Sequence, residues 1–179
     1  MPKRTDVDGR AFGLLGVSEL ILEERGPRGL SLRAIAGRMR MSLGSLCDHY
    51  GSRRRLMHLM CQMASQAWVK DLRCQVVDRG AQGFLPADDD GVLAARLWAS
   101  WVELSRSDPE LRGTVGDMRL EERAILAEAT GERDDDVLDT WLAIADGLRY
   151  RIIAPVDPLD RDRAHWLWAH AVGDHAEAA

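Results

Sequence analysis

The chain lacks an apolar run approaching the roughly 18 residues that a membrane-spanning helix needs, so no span is expected. The opening "MPKRTDVDGR" has basic residues but no apolar segment behind them, which argues against a secretory signal. Cysteine is scarce: Cys47, Cys61 and Cys74 are odd in number and lack metal-type spacing. That excludes a disulfide scaffold and predicts reduced thiols in a cytoplasm. Strand-type alternation is nearly absent, and there is no internal repeat or long low-complexity stretch. What is present is 46% hydrophobic and 30% charged residues, ordinary for a folded chain and wrong for a disordered one.

The remaining pattern is helical, so the fold class expected is all-α with about nine helices. The first runs from about Asp8 to Arg25 and breaks at Gly26 and Pro27. Ser31, Ser42 and Ser52 each offer an N-cap, opening two short helices and then a long one reaching about Val77. The segment "DRGAQGFLPADDDG" (78–91) reads as a loop. Helices follow over about Val92–Ser105, a short piece at Pro109, Thr114–Ala129, Val137–Ala154 and Arg161–His175.

Charge divides the chain. Of 24 Lys+Arg and 29 Asp+Glu, the first 75 residues hold 13 and 7, and the remainder hold 11 and 22. A basic head on an acidic body suits a head that meets a polyanion. Within that head, two short helices about three residues apart describe a helix-turn-helix. Ile35 and Leu32 pack the first onto the preceding helix, and Leu46 anchors the second inward. This leaves Leu43, Gly44, Cys47 and Asp48 facing outward into a major groove. Small residues at the start of the second helix allow close approach of backbone to phosphate. Arg53, Arg54 and Arg55 occupy a first helical turn, where cations oppose the macrodipole unless an anion sits there.

The stretch "RGPRGLSLRAIAGRMRMSLGSLCDHYGSRRRLMHLM" resembles the DNA-binding head of TetR-type (tetracycline-repressor-like) bacterial regulators, over about residues 8 to 63. Ser31, Leu32, Ile35, Ala36, Ser42, Gly44, Leu46, His49, Tyr50, Ser52 and Leu56 fall on the family pattern. The resemblance implies that Ser31 and Arg33 touch phosphate or base edges, that Ser42, Gly44 and Ser45 line the groove, and that His49, Tyr50 and Arg53 grip the backbone. It also implies a homodimer held by the last two helices and a variable helical domain that senses a small molecule. Three departures bear on operator choice. Arg40 stands where a turn glycine is frequent, so the turn needs a left-handed arginine or another form. Leu43 replaces a frequent lysine and offers an apolar touch to a thymine methyl. Cys47 and Asp48 replace frequent aromatics.

The Cys47, Asp48, His49 cluster is a poor reactive centre. Side chains two apart on a helix splay by about 200° and cannot hydrogen-bond as a dyad. His58 with Cys61 has metal-compatible spacing, but two ligands alone make a weak site. No catalytic residue, metal or cofactor is expected, and the chain is not expected to be an enzyme. Cys47 near a helix start and arginines has the setting of a redox switch, though a small side chain against DNA is the simpler reading.

In the body, Met63, Trp98, Trp101, Met118 and Trp141 are the candidate lining of an effector pocket for an aromatic or cationic small molecule. Trp141, Leu148, Ile152, Trp166, Ala169, His170 and Gly173 are the candidate dimer surface, because the 137–154 helix is apolar nearly all round. The expectation is a helix-turn-helix domain over 1–52 and an effector and dimerisation domain over 53–179. The function expected is that of a cytoplasmic, ligand-released transcription repressor binding double-stranded DNA as a homodimer. The alternative is an all-helical accessory protein with altered DNA reading.

Overall fold

Capping chemistry decides where the short helices of the head start and stop. The structure is a computed structural model; it describes the backbone of residues 4–176 and the side chains of residues 13–173. The first three residues of the opening stretch read for a signal lie outside that range. Helix α1 (Arg4–Arg25) ends before a single 3₁₀ turn, Pro27–Gly29. Ser31 caps α2 (Leu32–Arg38), its hydroxyl accepting from Ala34 N at 3.2 Å. Ser42 caps α3 (Leu43–Tyr50) by accepting from Ser45 N at 3.0 Å. Ser52 Oγ accepts from Arg55 N at 3.3 Å at the start of α4 (Arg53–Arg79).

Arg40 takes the left-handed option, with φ 54°. Met41 N donates to Ala36 O at 2.9 Å and Arg40 N to Gly37 O at 3.3 Å. This is a Schellman termination, whose C′ residue must be left-handed. The missing glycine therefore changes the cost of the turn and not its form.

Helices α5 (Asp89–Ser105), α6 (Pro109–Thr130), α7 (Asp135–Ile153) and α8 (Arg161–Ala176) complete the chain. The described residues thus form eight α-helices and no strand, against about nine helices expected. The difference lies at Pro109. A proline is tolerated in the first turn of a helix, and Asp108 Oδ1 accepts from Glu110 N at 3.0 Å. The short piece and the Thr114–Ala129 segment are consequently one helix. The expected 78–91 loop is partly ordered as a 3₁₀ segment, Gly80–Phe84, and α5 begins earlier than its apolar pattern, capped by Asp88 Oδ1 on Gly91 N at 2.8 Å.

The chain forms two compact units. The first runs through Ser65 and includes Ser100–Val115; the second comprises Gln66–Ala99 and Gly116 onward. In the first, Leu14, Ile21, Ile35, Leu46 and Leu56 are fully buried, so α1, α2, α3 and the start of α4 share a core. In the second, Leu72, Phe84, Leu126, Trp141 and Trp168 belong to one apolar cluster. Trp168 Nε1 donates to Ala81 O at 2.7 Å and Trp141 Nε1 to Ala171 O at 3.1 Å, so both indoles are buried without a polar penalty. Gly83 closes this unit: a Cβ there would lie 2.6 Å from the backbone of Gln75 and Val76.

Candidate functional site

Burial of Leu46 fixes the rotation of α3, and the rest follows from helical geometry. Ser42, Leu43, Gly44, Ser45, Asp48 and His49 are exposed, Leu43 at 47%, while Cys47 and Tyr50 are half-buried. His49 and Tyr50 meet edge to face with ring centroids 5.0 Å apart. Ser31 and Arg33 are exposed at the start of α2, and Arg53, Arg54 and Arg55 at the start of α4. A surface hollow of about 430 Å³ beside α2 is lined by Arg25, Ser31, Arg33 and Arg38 among others. The DNA-contact candidates therefore stand at or near the surface of the first unit, except that the Tyr50 hydroxyl is buried.

Two of the basic side chains near this surface are already engaged. Arg54 Nε lies 3.0 Å from Glu110 Oε1, in the first turn of α6. Arg38 pairs with Glu24 of α1. The sequence signal for the first pair was weak, because residues 54 and 110 are far apart and neither sits in a motif.

His58 and Cys61 stand one turn apart on α4, Cys61 buried and His58 half-buried. Burial pushes the Cys61 thiol up to about 12. His58 Nδ1 lies 3.4 Å from Thr114 Oγ1. No group of three or more His, Cys, Asp or Glu with metal-site geometry occurs among the described residues.

The effector-pocket candidates are not gathered within one unit. Met63 and Trp101 belong to the first, and Trp98, Met118 and Trp141 to the second. Trp98, Trp101, Met118 and Trp141 are all buried. Of the dimer candidates, Trp141 and Ile152 lie in the second unit's own core cluster and are withdrawn from its surface. Trp166, Ala169, His170 and Gly173 are exposed and Leu148 is half-buried. Arg163 lies 4.0 Å from the Trp166 ring centroid, and the His170 ring is tilted against the same ring, centroids 3.8 Å apart.

The second unit also contains a charged cluster that the apolar patterns overlooked. Glu122 is fully buried. Its Oε1 accepts from Arg149 Nη1 at 2.7 Å and from Trp68 Nε1 at 2.9 Å, and its Oε2 from Arg119 Nη1 at 2.6 Å. Asp146 bridges both arginines, at 2.8 Å to Arg119 and 3.0 Å to Arg149. Arg149 lies over the Trp68 ring, 5.4 Å from its centroid, and Trp68 stacks on Trp98 at 5.9 Å. Burial alone would raise the Glu122 carboxyl, but Arg149, Arg119 and the Trp68 N–H together hold it below the usual carboxylate range. The available signal was two i,i+3 pairs, Arg119 with Glu122 and Asp146 with Arg149, interrupting otherwise apolar helix faces.

The order of helices and the placement of α3 decide the comparison with known structures. A protein described as a TetR-family transcriptional regulator from Rhodococcus sp. superposes with a TM-score of 0.76 over 93% of this chain and 98% of its own, at 18% identity. The chain has the TetR-type fold. A transcriptional regulator from Pseudomonas aeruginosa PAO1 shares it with a TM-score of 0.74, 20% identity, and coverage of 96% of this chain and 92% of its own. The multidrug binding protein EbrR, solved with ethidium, shares it with a TM-score of 0.67, 19% identity, and coverage of 90% and 98%. No protein-family model and no curated protein sequence matches the chain. The TetR-type fold accounts for the all-α architecture and for the helix-turn-helix geometry of α2 and α3.

Proposed function

We propose that the chain is a transcription regulator that binds double-stranded DNA as a homodimer at a near-palindromic operator and is released by a small molecule. The observation that carries this reading is the outward face of α3. It presents Ser42, Leu43, Gly44, Ser45, Cys47 and Asp48 beside exposed cations on α2 and α4, on a helix anchored by a fully buried Leu46. Leu43, Cys47 and Asp48 meet base edges, Ser31 and Arg33 meet phosphates or base edges, and His49, Arg53 and Arg54 meet phosphates, with Tyr50, its hydroxyl buried, packed edge to face on His49. Such a regulator works in the cytoplasm of a bacterium and performs no catalysis.

The exposed strip on α8, with Trp166, Ala169, His170 and Gly173, is the proposed dimer surface together with Leu148 of α7. A two-fold dimer sets the two reading helices about 34–36 Å apart, or a multiple of that. EbrR with ethidium, proflavin and malachite green supports a small-molecule effector for this chain too. The second reading, an accessory protein with altered DNA recognition, is favoured only by the Asp48 carboxylate on the groove face, which repels phosphate.

Selection of bound fragments from random DNA tests the proposal. A two-fold-symmetric consensus is expected, with Tyr50→Ala weakening binding and Arg53→Ala lowering the salt slope by about one unit. Absence of any enriched sequence sinks the regulator reading and favours the accessory protein. A strictly monomeric mass at micromolar concentration sinks the dimer.

A further inference from the structure

The charged cluster of the second unit is built differently from a structural ion pair. Buried pairs contribute little net stability against apolar side chains of the same volume, so their retention calls for another reason. Here the buried acid is Glu122, and the cation over the Trp68 ring is Arg149. One side of the indole meets the guanidinium while its N–H donates to the same carboxylate that the guanidinium binds. An aromatic face and a carboxylate arranged together in this way form a receptor for a flat cation.

Arg149 fills this receptor imperfectly. It is 5% exposed, yet its Nε is buried with no hydrogen-bond partner. The Nε1 of Trp98, stacked on Trp68, is likewise buried and without a partner. A permanent bridge selected for stability would satisfy such donors. Arg149 is also shared between two carboxylates. Asp146, its i,i+3 neighbour, is 41% exposed at the side chain and holds Nη2 at 3.0 Å, so Arg149 has a partner besides Glu122. Glu122 also holds Arg119 at 2.6 Å, which gives the buried carboxylate a second cation besides Arg149.

We propose that Glu122, Trp68 and Trp98 form a binding site for a planar organic cation of the amidine or guanidine class, which Arg149 occupies when no ligand is present. An amidinium docks two N–H donors on Glu122 as the guanidinium does, and an attached aromatic ring stacks on half-buried Trp68. An anion has no place there, because it would face two carboxylates, Glu122 and Asp146. The assignment rests on the regulator reading only in making this site the effector site; the binding chemistry stands apart from it.

Titration calorimetry on the full chain without DNA tests the site, using benzamidine, the neutral benzamide and the anionic benzoate. Benzamidine is expected to bind at least tenfold more tightly than either, and Glu122→Gln to weaken it at least tenfold. Arg149→Met removes the internal competitor and is expected to tighten benzamidine at least tenfold. Arg149→Lys keeps the charge and loses the flat fork, and a gain of a few-fold is expected from it. Equal binding of benzamidine and benzamide overturns the proposal, as does benzamidine affinity unchanged by Glu122→Gln or by both folded Arg149 variants. The absence of benzamidine binding to the wild type and to Arg149→Lys and Arg149→Met alike overturns it too. DNA selection with the same wild-type preparation separates the two readings: failure there removes the regulator and leaves the cation site standing.

Discussion

Replacing Glu122 by Gln keeps the size of the side chain and removes its charge, which makes it a clean perturbation of the second unit. In the wild type the carboxylate accepts two charge-assisted bonds, from Arg149 and Arg119, and one from Trp68. Breaking a buried pair by removing one partner costs about 3–5 kcal/mol. The amide still offers one acceptor, and Arg119 and Arg149 both keep Asp146, so the expected loss at pH 7 is about 3 kcal/mol at the low end of that range. A chain of this size then melts roughly 6–12 °C lower. Total stability of about 5–15 kcal/mol leaves the variant folded.

The pH dependence gives the sharper test. Because Glu122 is held below its ordinary range in the fold, its contribution is complete above the unfolded value of about 4.3 and drains away as pH falls through the folded one. The gap between wild type and variant should therefore be widest near pH 7 and narrow on acidification. Carboxylates that do not touch this cluster are common to both proteins and cancel in the difference. Urea denaturation at fixed protein concentration, from pH 7 to pH 3.5, measures it. A gap that is constant with pH, or a variant as stable as wild type at pH 7, would refute the account of Glu122 as a paired, buried anion.

Two further substitutions probe the backbone. Arg40→Gly relieves the left-handed arginine of the α2 termination and should stabilise the first unit by up to about 1 kcal/mol, read as a higher melting temperature. An unchanged or lower value would mean that the Arg40 side chain contributes more than its strain costs. Gly83→Ala drives a methyl to within 2.6 Å of the Gln75 and Val76 backbone and should destabilise by at least about 2 kcal/mol through displacement of the 3₁₀ segment. A loss under half that figure in urea denaturation would show that the segment yields easily.

The head was legible because its information is local. Each cap serine acts within three residues, Ile35 and Ala36 are buried on α2 and Leu46 on α3, so helix starts and the outward face of α3 follow from the order of residues. The left-handed turn at Arg40 was foreseen as one of two options, and its hydrogen bonds decide for it. The body was legible as helices but not as partners. Periodicity tells which residues are apolar and says nothing about which helix faces which, so Trp141 and Ile152 served as surface candidates although they belong to a core. For the same reason the link from Glu122 to Arg149, across two helices and against an apolar background, had no motif to announce it. Pro109 misled in the opposite sense, because the residue that ends a helix from inside is well suited to begin one.

The pairing of Arg54 with Glu110 has a consequence for the proposed encounter with DNA. An arginine that already has a carboxylate partner does not simply add a contact to a phosphate; it exchanges one anion for another. Such a residue displaces fewer ions from the duplex in net terms, since the glutamate it abandons gathers counterions of its own. In the proposed complex Arg53 and Arg54 would therefore be unequal members of one basic turn, and the start of α6 would act as a dial on how steeply binding responds to salt.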